Sequence, residues 1–341
     1  MNEEVTQKDD RPLLVTIRCM AYNHVAYIRQ CLEGFVMQKT NFRFEAIIHD
    51  DASTDGTADI IREYEKKYPD IIKPIYQVEN QYSKHDGTIR RALDSKSRGK
   101  YIALCEGDDF WIDPLKLQKQ VDYMQAHPNC TMTCNRTKWF SQKQNKEVCE
   151  QYCRKGSGLL KVEDVIKRSG LYIPTCSMVI CRDVLDNFPD FCSQCLVGDY
   201  PLQILCAVKG DVFYFDDCMS IYRVDNCNSW MGTQNFGTLS EKRKKVIISI
   251  INMLRGFATL DPNLLDVVSS TIANEINGNI PYWKASSKDI NRYLESFKNE
   301  IRNYDWRWKV DMIIRKAKIP GLRRLYTPIF LSNYQVLKKR I

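Results

Sequence analysis

Phe44-Glu45-Ala46-Ile47-Ile48-His49-Asp50-Asp51-Ala52-Ser53-Thr54-Asp55-Gly56 is the stretch from which the fold can be read. A short, mostly apolar run stops abruptly at two carboxylates, followed by small hydroxylated residues and a glycine. That composition is a buried strand running out into a turn. Upstream, Leu13 to Cys19 is a second run of the same kind, and a helical stretch from about Ala26 to Gln38 separates the two. Downstream, Asp55 to Lys67 carries helical spacing at Ile60, Ile61 and Tyr64, and Ile71 to Val78 reads as a strand. Tyr101 to Cys105 is a fourth apolar run, ending in Glu106-Gly107-Asp108-Asp109. Alternating strands and helices predict an α/β fold with a mostly parallel central sheet covered by helices.

Beyond Pro114 the spacing of Leu115, Leu117, Val121 and Met124 predicts a helix, and Cys130 to Thr137 a strand; Ser141 to Gly158 reads as a polar loop. Thr175 to Cys181 and Val212 to Phe215 read as further strands, with a helix at about Pro201 to Val208 between them. Gly232 to Gly237 reads as a linker, and the pattern from Leu239 onward is helical, broken by Pro262, Pro281, Pro320 and Pro328. The expected organisation is a catalytic domain over residues 1–235 and a C-terminal helical region over 236–341.

In an open α/β sheet, ligands bind outside the carboxyl ends of the strands, and Asp50-Asp51 and Asp108-Asp109 both fall at such ends. Adjacent carboxylates repel one another, an arrangement better tolerated where a cation or hydrogen-bonding ligand sits among them. For a single pair, capping of the following helix explains the residues equally well. Asp51 to Asp59 imitates the start of a calcium loop, but the twelfth position holds Arg62 and a strand precedes the loop, which excludes that reading. A phosphatase Asp-x-Asp-Gly-Thr motif fails at Ser53, and no Gly-x-Gly-x-x-Gly or Walker A sequence is present.

Ala21-Tyr22-Asn23 after the first strand, Asp50-Asp51-Ala52-Ser53-Thr54-Asp55 after the second and Gly107-Asp108-Asp109 after the fourth resemble, in order and spacing, the family 2 glycosyltransferases of the GT-A fold. The resemblance covers about residues 12–230 and is strongest to the bacterial branch that builds capsules, O-antigens and exopolysaccharides. It implies an inverting, metal-dependent transferase that uses Mg2+ or Mn2+ and a nucleotide-sugar donor. On that resemblance Asp109 ligates the metal on the donor diphosphate, Asp51 lies against the nucleoside, and Asp108 sits beside the ribose or donor sugar. Ala21, Tyr22, Asn23 and Arg90, with Arg91 next to it, help surround the nucleotide. Val197-Gly198-Asp199-Tyr200-Pro201-Leu202 matches the family's catalytic-base segment, which makes Asp199 the general base; the bland alternative is an N-cap aspartate. Asp216-Asp217 is a competitor for that role and reads better as a turn. After Tyr222-Arg223, many relatives place a His two residues beyond the Arg, where this chain has Asp225. Arg223 itself could pair with the diphosphate or with a neighbouring carboxylate. Trp111 and Trp230 are candidates for sugar stacking, with core packing the alternative.

The chain has 341 residues, 44% of them hydrophobic, enough for a full core. Its formal charge of +8 is uneven: residues 307–341 hold ten Lys and Arg against Asp311 alone, and the remainder is close to neutral. A basic tail interleaved with Trp308, Ile313, Ile314 and Phe330 fits peripheral contact with an anionic membrane, or simply a solvated helical face. Without a helix-turn-helix, RRM or zinc-finger pattern, nucleic acid is not expected as a partner. Fourteen cysteines without a secretory signal read as reduced thiols, and the lone Cys192-x-x-Cys195 does not make a zinc ribbon. The expected location is the cytoplasm, on the inner face of the cytoplasmic membrane if the tail binds it, and the acceptor a saccharide or lipid-linked saccharide. Two alternatives stand beside this reading. A sugar nucleotidyltransferase would carry a Gly-rich basic loop after the first strand, which Cys19 to Tyr27 lacks, and a noncatalytic sugar-binding protein would have lost acids such as Asp109 and Asp199.

Overall fold

The computed structural model describes residues 9–84, 87–225 and 241–278. The expected linker at Gly232 to Gly237, Trp230 and the basic tail at 307–341 lie outside them, as does the expected domain boundary at residue 235. The chain forms two compact units that are discontinuous in sequence. One takes in the described residues up to Lys161 together with Tyr172–Phe188 and Leu205–Arg223; the other takes in Val162–Leu171, Pro189–Ile204 and the described residues from Val224 on.

In the first unit, β1 (Leu13–Ala21), α1 (Ile28–Val36), β2 (Arg43–Asp50), α2 (Thr57–Lys67), β3 (Ile72–Tyr76), α3 (Thr88–Lys96) and β4 (Tyr101–Leu104) follow the predicted alternation. β1 is flanked on both sides by parallel partners, β2 and β4, and β3 is parallel to β2 on the outside. An interior strand must be buried on both faces, which is why Val15, Ile17 and Cys19 lie in one core cluster with Cys31, Leu32 and Phe35 of α1. The opposite face of β1 is polar and satisfied. Thr16 donates to Glu45 at 2.9 Å, and Arg18 donates to Ser97 at 2.9 Å while pairing with Asp94 at 2.8 Å. Arg98 caps the same buried Glu45.

The sheet continues through β5 (Phe110–Trp111), β6 (Cys130–Ser141), β7 (Lys146–Gln151), β8 (Gly158–Leu160), β9 (Val179–Cys181) and β10 (Asp211–Val224). Its order is β3-β2-β1-β4-β9-β6-β10-β5, with β7 on β6 and β8 on β10. The parallel arrangement expected throughout holds for the first four strands; β9 is antiparallel to β4 and to β6, and β5 and β8 are antiparallel to β10, so the sheet is mixed. β6 and β7 are antiparallel too, because a tight hairpin joins them, a connection that a parallel pair cannot use. The turn and second strand of that hairpin, β7, fall in the stretch Ser141 to Gly158 read from sequence as a loop, whereas the expected strand Cys130 to Thr137 lies within β6. The expected strand Thr175 to Cys181 begins instead as a 3-10 turn, Thr175–Ser177. Gly34 of α1 lies so close to β5 that a Cβ there would sit 2.9 Å from the main-chain nitrogen of Trp111.

The second unit is helical among its described residues. The helix Val162–Lys167 packs on the helix Leu265–Gly278, and Phe191 of the short helix Asp190–Ser193 meets Phe257 edge-on with ring centroids 5.2 Å apart. The helix Glu241–Leu260 buries Ile247, Ile251, Leu254 and Phe257 at helical spacing. Asp199 opens the helix Asp199–Lys209, where the Tyr200 hydroxyl donates to Ile166 O and the Gln203 amide to Gly170 O. No helix among the described residues is long and apolar enough to cross a membrane.

Candidate active site

The carboxyl ends of β1, β2 and β4 are stitched together by their own backbones. The Asp51 amide donates to Ala21 O and the Gly107 amide to Met20 O, each at 2.9 Å. Parallel strands in register therefore bring Ala21-Tyr22-Asn23, Asp50-Asp51 and Gly107-Asp108-Asp109 to one edge, as parallel topology requires of strand ends. Gly107 is glycine because a Cβ would lie 2.8 Å from His24 Nδ1 and 3.2 Å from Ala21 Cβ.

The first turn is closed by side chains. Asn23, held in the left-handed region at φ 54, receives Thr54 N–H on Oδ1 at 2.9 Å, and its own amide donates to Ser53 Oγ at 2.9 Å. Asp55 accepts from Val25 N and Thr57 N, and Asp50 Oδ2 accepts from Ser53 N at 3.3 Å. The Asp55 contacts account for the calcium-like pattern: its carboxylate caps the entry to α2. Asp51 is buried, and both of its oxygens are used, Oδ1 by Gln81 N–H at 2.7 Å and Oδ2 by Tyr82 N–H at 3.0 Å. It latches the segment after β3 against the site. Tyr22 and Tyr82 are exposed on this side.

The second turn is less satisfied. Asp109 is 2% exposed; Oδ1 accepts the main-chain N–H of Arg223 at 2.8 Å, while Oδ2 is buried with no hydrogen-bond partner. Burial, with Asp108 and Glu106 adding negative potential, pushes the Asp109 carboxyl well above the usual carboxylate range. A cation would remove that penalty. No three His, Cys, Asp or Glu side chains among the described residues form a cage able to hold a metal alone. One buried carboxylate oxygen suits a hard divalent ion that takes its other ligands from phosphate and water, the ordinary coordination of Mg2+.

Sequence reasoning missed His24. Its imidazole faces the Asp108 turn, Nδ1 is buried without a partner, and burial lowers its pKa against the pull of Asp108, Asp55 and Asp50. No motif marks it, because its role depends on the contact with Gly107. Lys116 was also missed: it is fully buried, with Nζ on Gln120 Oε1 at 2.6 Å and over the Trp111 ring at 4.4 Å, and burial lowers its pKa to about 8. Trp111 is a core residue, its indole N–H donating to Cys176 O at 2.8 Å. Arg90 donates to Leu185 O at 3.1 Å and lies over the Phe188 ring at 4.0 Å. Asp216 and Asp217 belong to β10 rather than to a turn, and Asp217 pairs with Lys119 at 3.1 Å. Asp199 lies in the second unit, where a Cβ on Gly170 would be 3.3 Å from its Oδ1. The thirteen cysteines among the described residues form no disulfide with one another.

Residues 17–188 match the sequence model described as Glycosyl transferase family 2. The uncharacterized protein Rv1520 of Mycobacterium tuberculosis is 36% identical over 211 residues, covering 61% of this chain and 58% of that protein. The Escherichia coli UDP-Glc:alpha-D-GlcNAc-diphosphoundecaprenol beta-1,3-glucosyltransferase WfaP is 33% identical over 113 residues, covering 33% of this chain and 42% of the enzyme. The fold is similar to Staphylococcus aureus TarS 1-349 in complex with UDP-GlcNAc, with a TM-score of 0.66 at 14% identity over 87% of this chain and 83% of that one. It is also similar to the mannosyltransferase PcManGT from Pyrobaculum calidifontis in complex with GDP-Man and Mn2+, with a TM-score of 0.55 at 13% identity over 97% of this chain and 88% of that one. The mixed sheet, the paired carboxylates at its strand ends and the match over half its length place this chain in glycosyl transferase family 2.

Proposed function

We propose that the protein transfers a sugar from a nucleotide-sugar donor to an acceptor hydroxyl with inversion at the anomeric carbon, in a metal-dependent reaction. The observation that carries this reading is Asp109, a buried carboxylate with one unpartnered oxygen at the carboxyl end of the parallel half of the sheet. Mg2+ or Mn2+, when bound there with the donor diphosphate, supplies charge neutralisation for the departing nucleotide. Asp109 would hold the ion, with Asp108 beside it facing the ribose or donor sugar. Asp51 and the strand-end segment Ala21 to Asn23 would form the nucleoside wall, which Asp51 keeps rigid by holding the amides of Gln81 and Tyr82. Arg90 would join that wall only by leaving Leu185 O. Asp199, at the first turn of its helix, would take the proton of the acceptor hydroxyl as that oxygen attacks.

A relative whose name specifies a diphosphoundecaprenol-linked sugar supports a lipid-linked saccharide as acceptor, and with it surface polysaccharide synthesis of the capsule, O-antigen or exopolysaccharide kind. The basic segment 307–341 would then keep the enzyme at the cytoplasmic membrane face. Division of labour between residues 1–235 for transfer and 236–341 for attachment belongs to the same proposal.

The test is a screen of UDP-, GDP- and dTDP-sugars for Mn2+-dependent thermal stabilisation and slow donor hydrolysis. One nucleotide class should stabilise the protein only with metal, and Asp109→Ala should abolish the effect. Asp199→Asn should retain donor binding while kcat falls by about 10²–10⁴. Absence of any shift at millimolar donor, with or without metal, would sink the transferase reading and favour a noncatalytic role.

A further inference from the structure

We propose that Arg223 is a positioning residue for Asp109, holding the metal-facing carboxylate through its own main-chain amide, and not a ligand of the donor diphosphate. The inference rests on the reading of Asp109 as the metal ligand. It begins with the way β10 ends. The antiparallel ladder between β10 and β5 pairs Ser220 with Trp111 and Ile221 with Phe110, and the next residues of β10 pass over the Asp108-Asp109 turn. There the Arg223 amide donates to Asp109 Oδ1 at 2.8 Å. That hydrogen bond fixes which oxygen of Asp109 is used and which is left for a cation.

Besides its place in β10, residue 223 is held by its side chain. Arg223 is buried, only 6% exposed. Its terminal nitrogens donate to the amide oxygens of Gln30, on α1, and of Gln142, just after β6, the latter at 3.3 Å. Three rings surround it, with centroids 4.8 Å (Phe110), 5.1 Å (Tyr27) and 5.8 Å (Phe140) from the guanidinium carbon. The side chain therefore ties the end of β10 to α1, β5 and β6 at once. An arginine built to bind a diphosphate presents its planar fork of donors to the ligand. Here both terminal nitrogens are engaged by amides and Nε is buried. The partners are also neutral. Glutamines and aromatic rings orient the guanidinium without neutralising it, so its positive charge still acts on Asp109 and Asp108.

The roles separate in variants that never touch a phosphate. Gln30→Ala combined with Gln142→Ala loosens the cage while keeping Arg223, and Arg223→Met removes the charge and the donors. Mn2+ affinity, read by electron paramagnetic resonance of the free ion, should fall about 10- to 100-fold in both, as for other outer residues that orient a metal ligand. Binding of nucleoside diphosphate without metal should be unchanged in both. Hydrogen exchange of a peptide spanning residues 221–225 should quicken in both, with β4 unaffected. Unchanged exchange and unchanged Mn2+ affinity in the double glutamine variant, with loss of metal-free diphosphate binding in Arg223→Met, would overturn the proposal in favour of a direct phosphate contact. If wild type binds no Mn2+ but the exchange effect appears, the positioning of Asp109 stands and the metal reading of the site falls.

Discussion

The two carboxylate pairs, Asp50-Asp51 and Asp108-Asp109, look alike in sequence and sit at neighbouring strand ends, yet the chain treats them differently. In the first, Asp51 is saturated by two backbone N–H groups and the surrounding turn is closed by Asn23, Ser53 and Asp55. Asp50 keeps one buried oxygen without a partner, but the pair is embedded in donors. In the second, a backbone amide holds one oxygen of Asp109, the other has no partner, and Asp108 and Glu106 raise the local negative potential. The first pair is a finished piece of structure that shapes a wall. The second is energetically incomplete in the protein alone, the condition under which a cation binds with most effect.

The sharpest way to break this contrast is to remove charge from the second turn. Asp109→Asn should lower Mn2+-dependent turnover by on the order of 100-fold or more, since it removes a ligand rather than a residue behind one. The metal-free protein should gain stability at neutral pH. The sign follows from linkage. With its native pKa raised, Asp109 holds its proton to higher pH than the unfolded chain does, so stability is lost as pH rises from the unfolded value through the native one. Denaturant titrations of both proteins at pH 4 and pH 7 check it: a variant no more stable than wild type at pH 7 would mean that the turn is already satisfied.

At the first turn the sign reverses. Asp51→Ala leaves the amides of Gln81 and Tyr82 without their acceptor and should cost about 3–5 kcal/mol, visible in urea denaturation without metal or nucleotide. A loss under 1 kcal/mol would show that the latch is redundant. Just behind the second turn, Lys116 offers a pH test. Its native pKa of about 8 lies below the ordinary lysine value of 10.5, so the unfolded chain binds the proton more tightly and wild-type stability falls as pH drops from about 10.5 to 8. Lys116→Met should be more stable than wild type by roughly 3 kcal/mol near pH 7, with the difference shrinking as pH rises from about 8 to 10.5. A difference that does not vary with pH would show that the lysine stays charged when buried. The smallest effect is expected at Ala52, held at φ 62 in the first turn. Ala52→Gly should add about 0.5–1 kcal/mol, the relief of left-handed strain exceeding the extra freedom of the unfolded chain. Thermal denaturation measures it.

Much of this is legible in the sequence alone. Buried strands announce themselves by composition, and turns after parallel strands by the carboxylates and small residues that end them, so β1, β2 and β4 and the turns at 50–55 and 106–109 could be read directly. The antiparallel half was harder. A polar outer strand such as β7 has the composition of a loop, and only its pairing with β6 reveals it. Trp111 is ambiguous in sequence between a sugar platform and a core residue; packing against Phe35 at 4.9 Å decided it.

What the sequence determined by itself is the local chemistry: which segments are buried, where they end, and which acids stand at the ends. Those properties depend on residues close along the chain, where spacing and composition act directly. The tertiary structure decided how each acid is used, because the groups that use it come from far away. Asp51 meets amides 30 residues on, Asp109 an amide 114 residues on, and Arg223 a glutamine 193 residues back. Whether a carboxylate is a latch or a cation ligand is a matter of hydrogen bonds gained and water lost, and both are settled only when distant strands close around it.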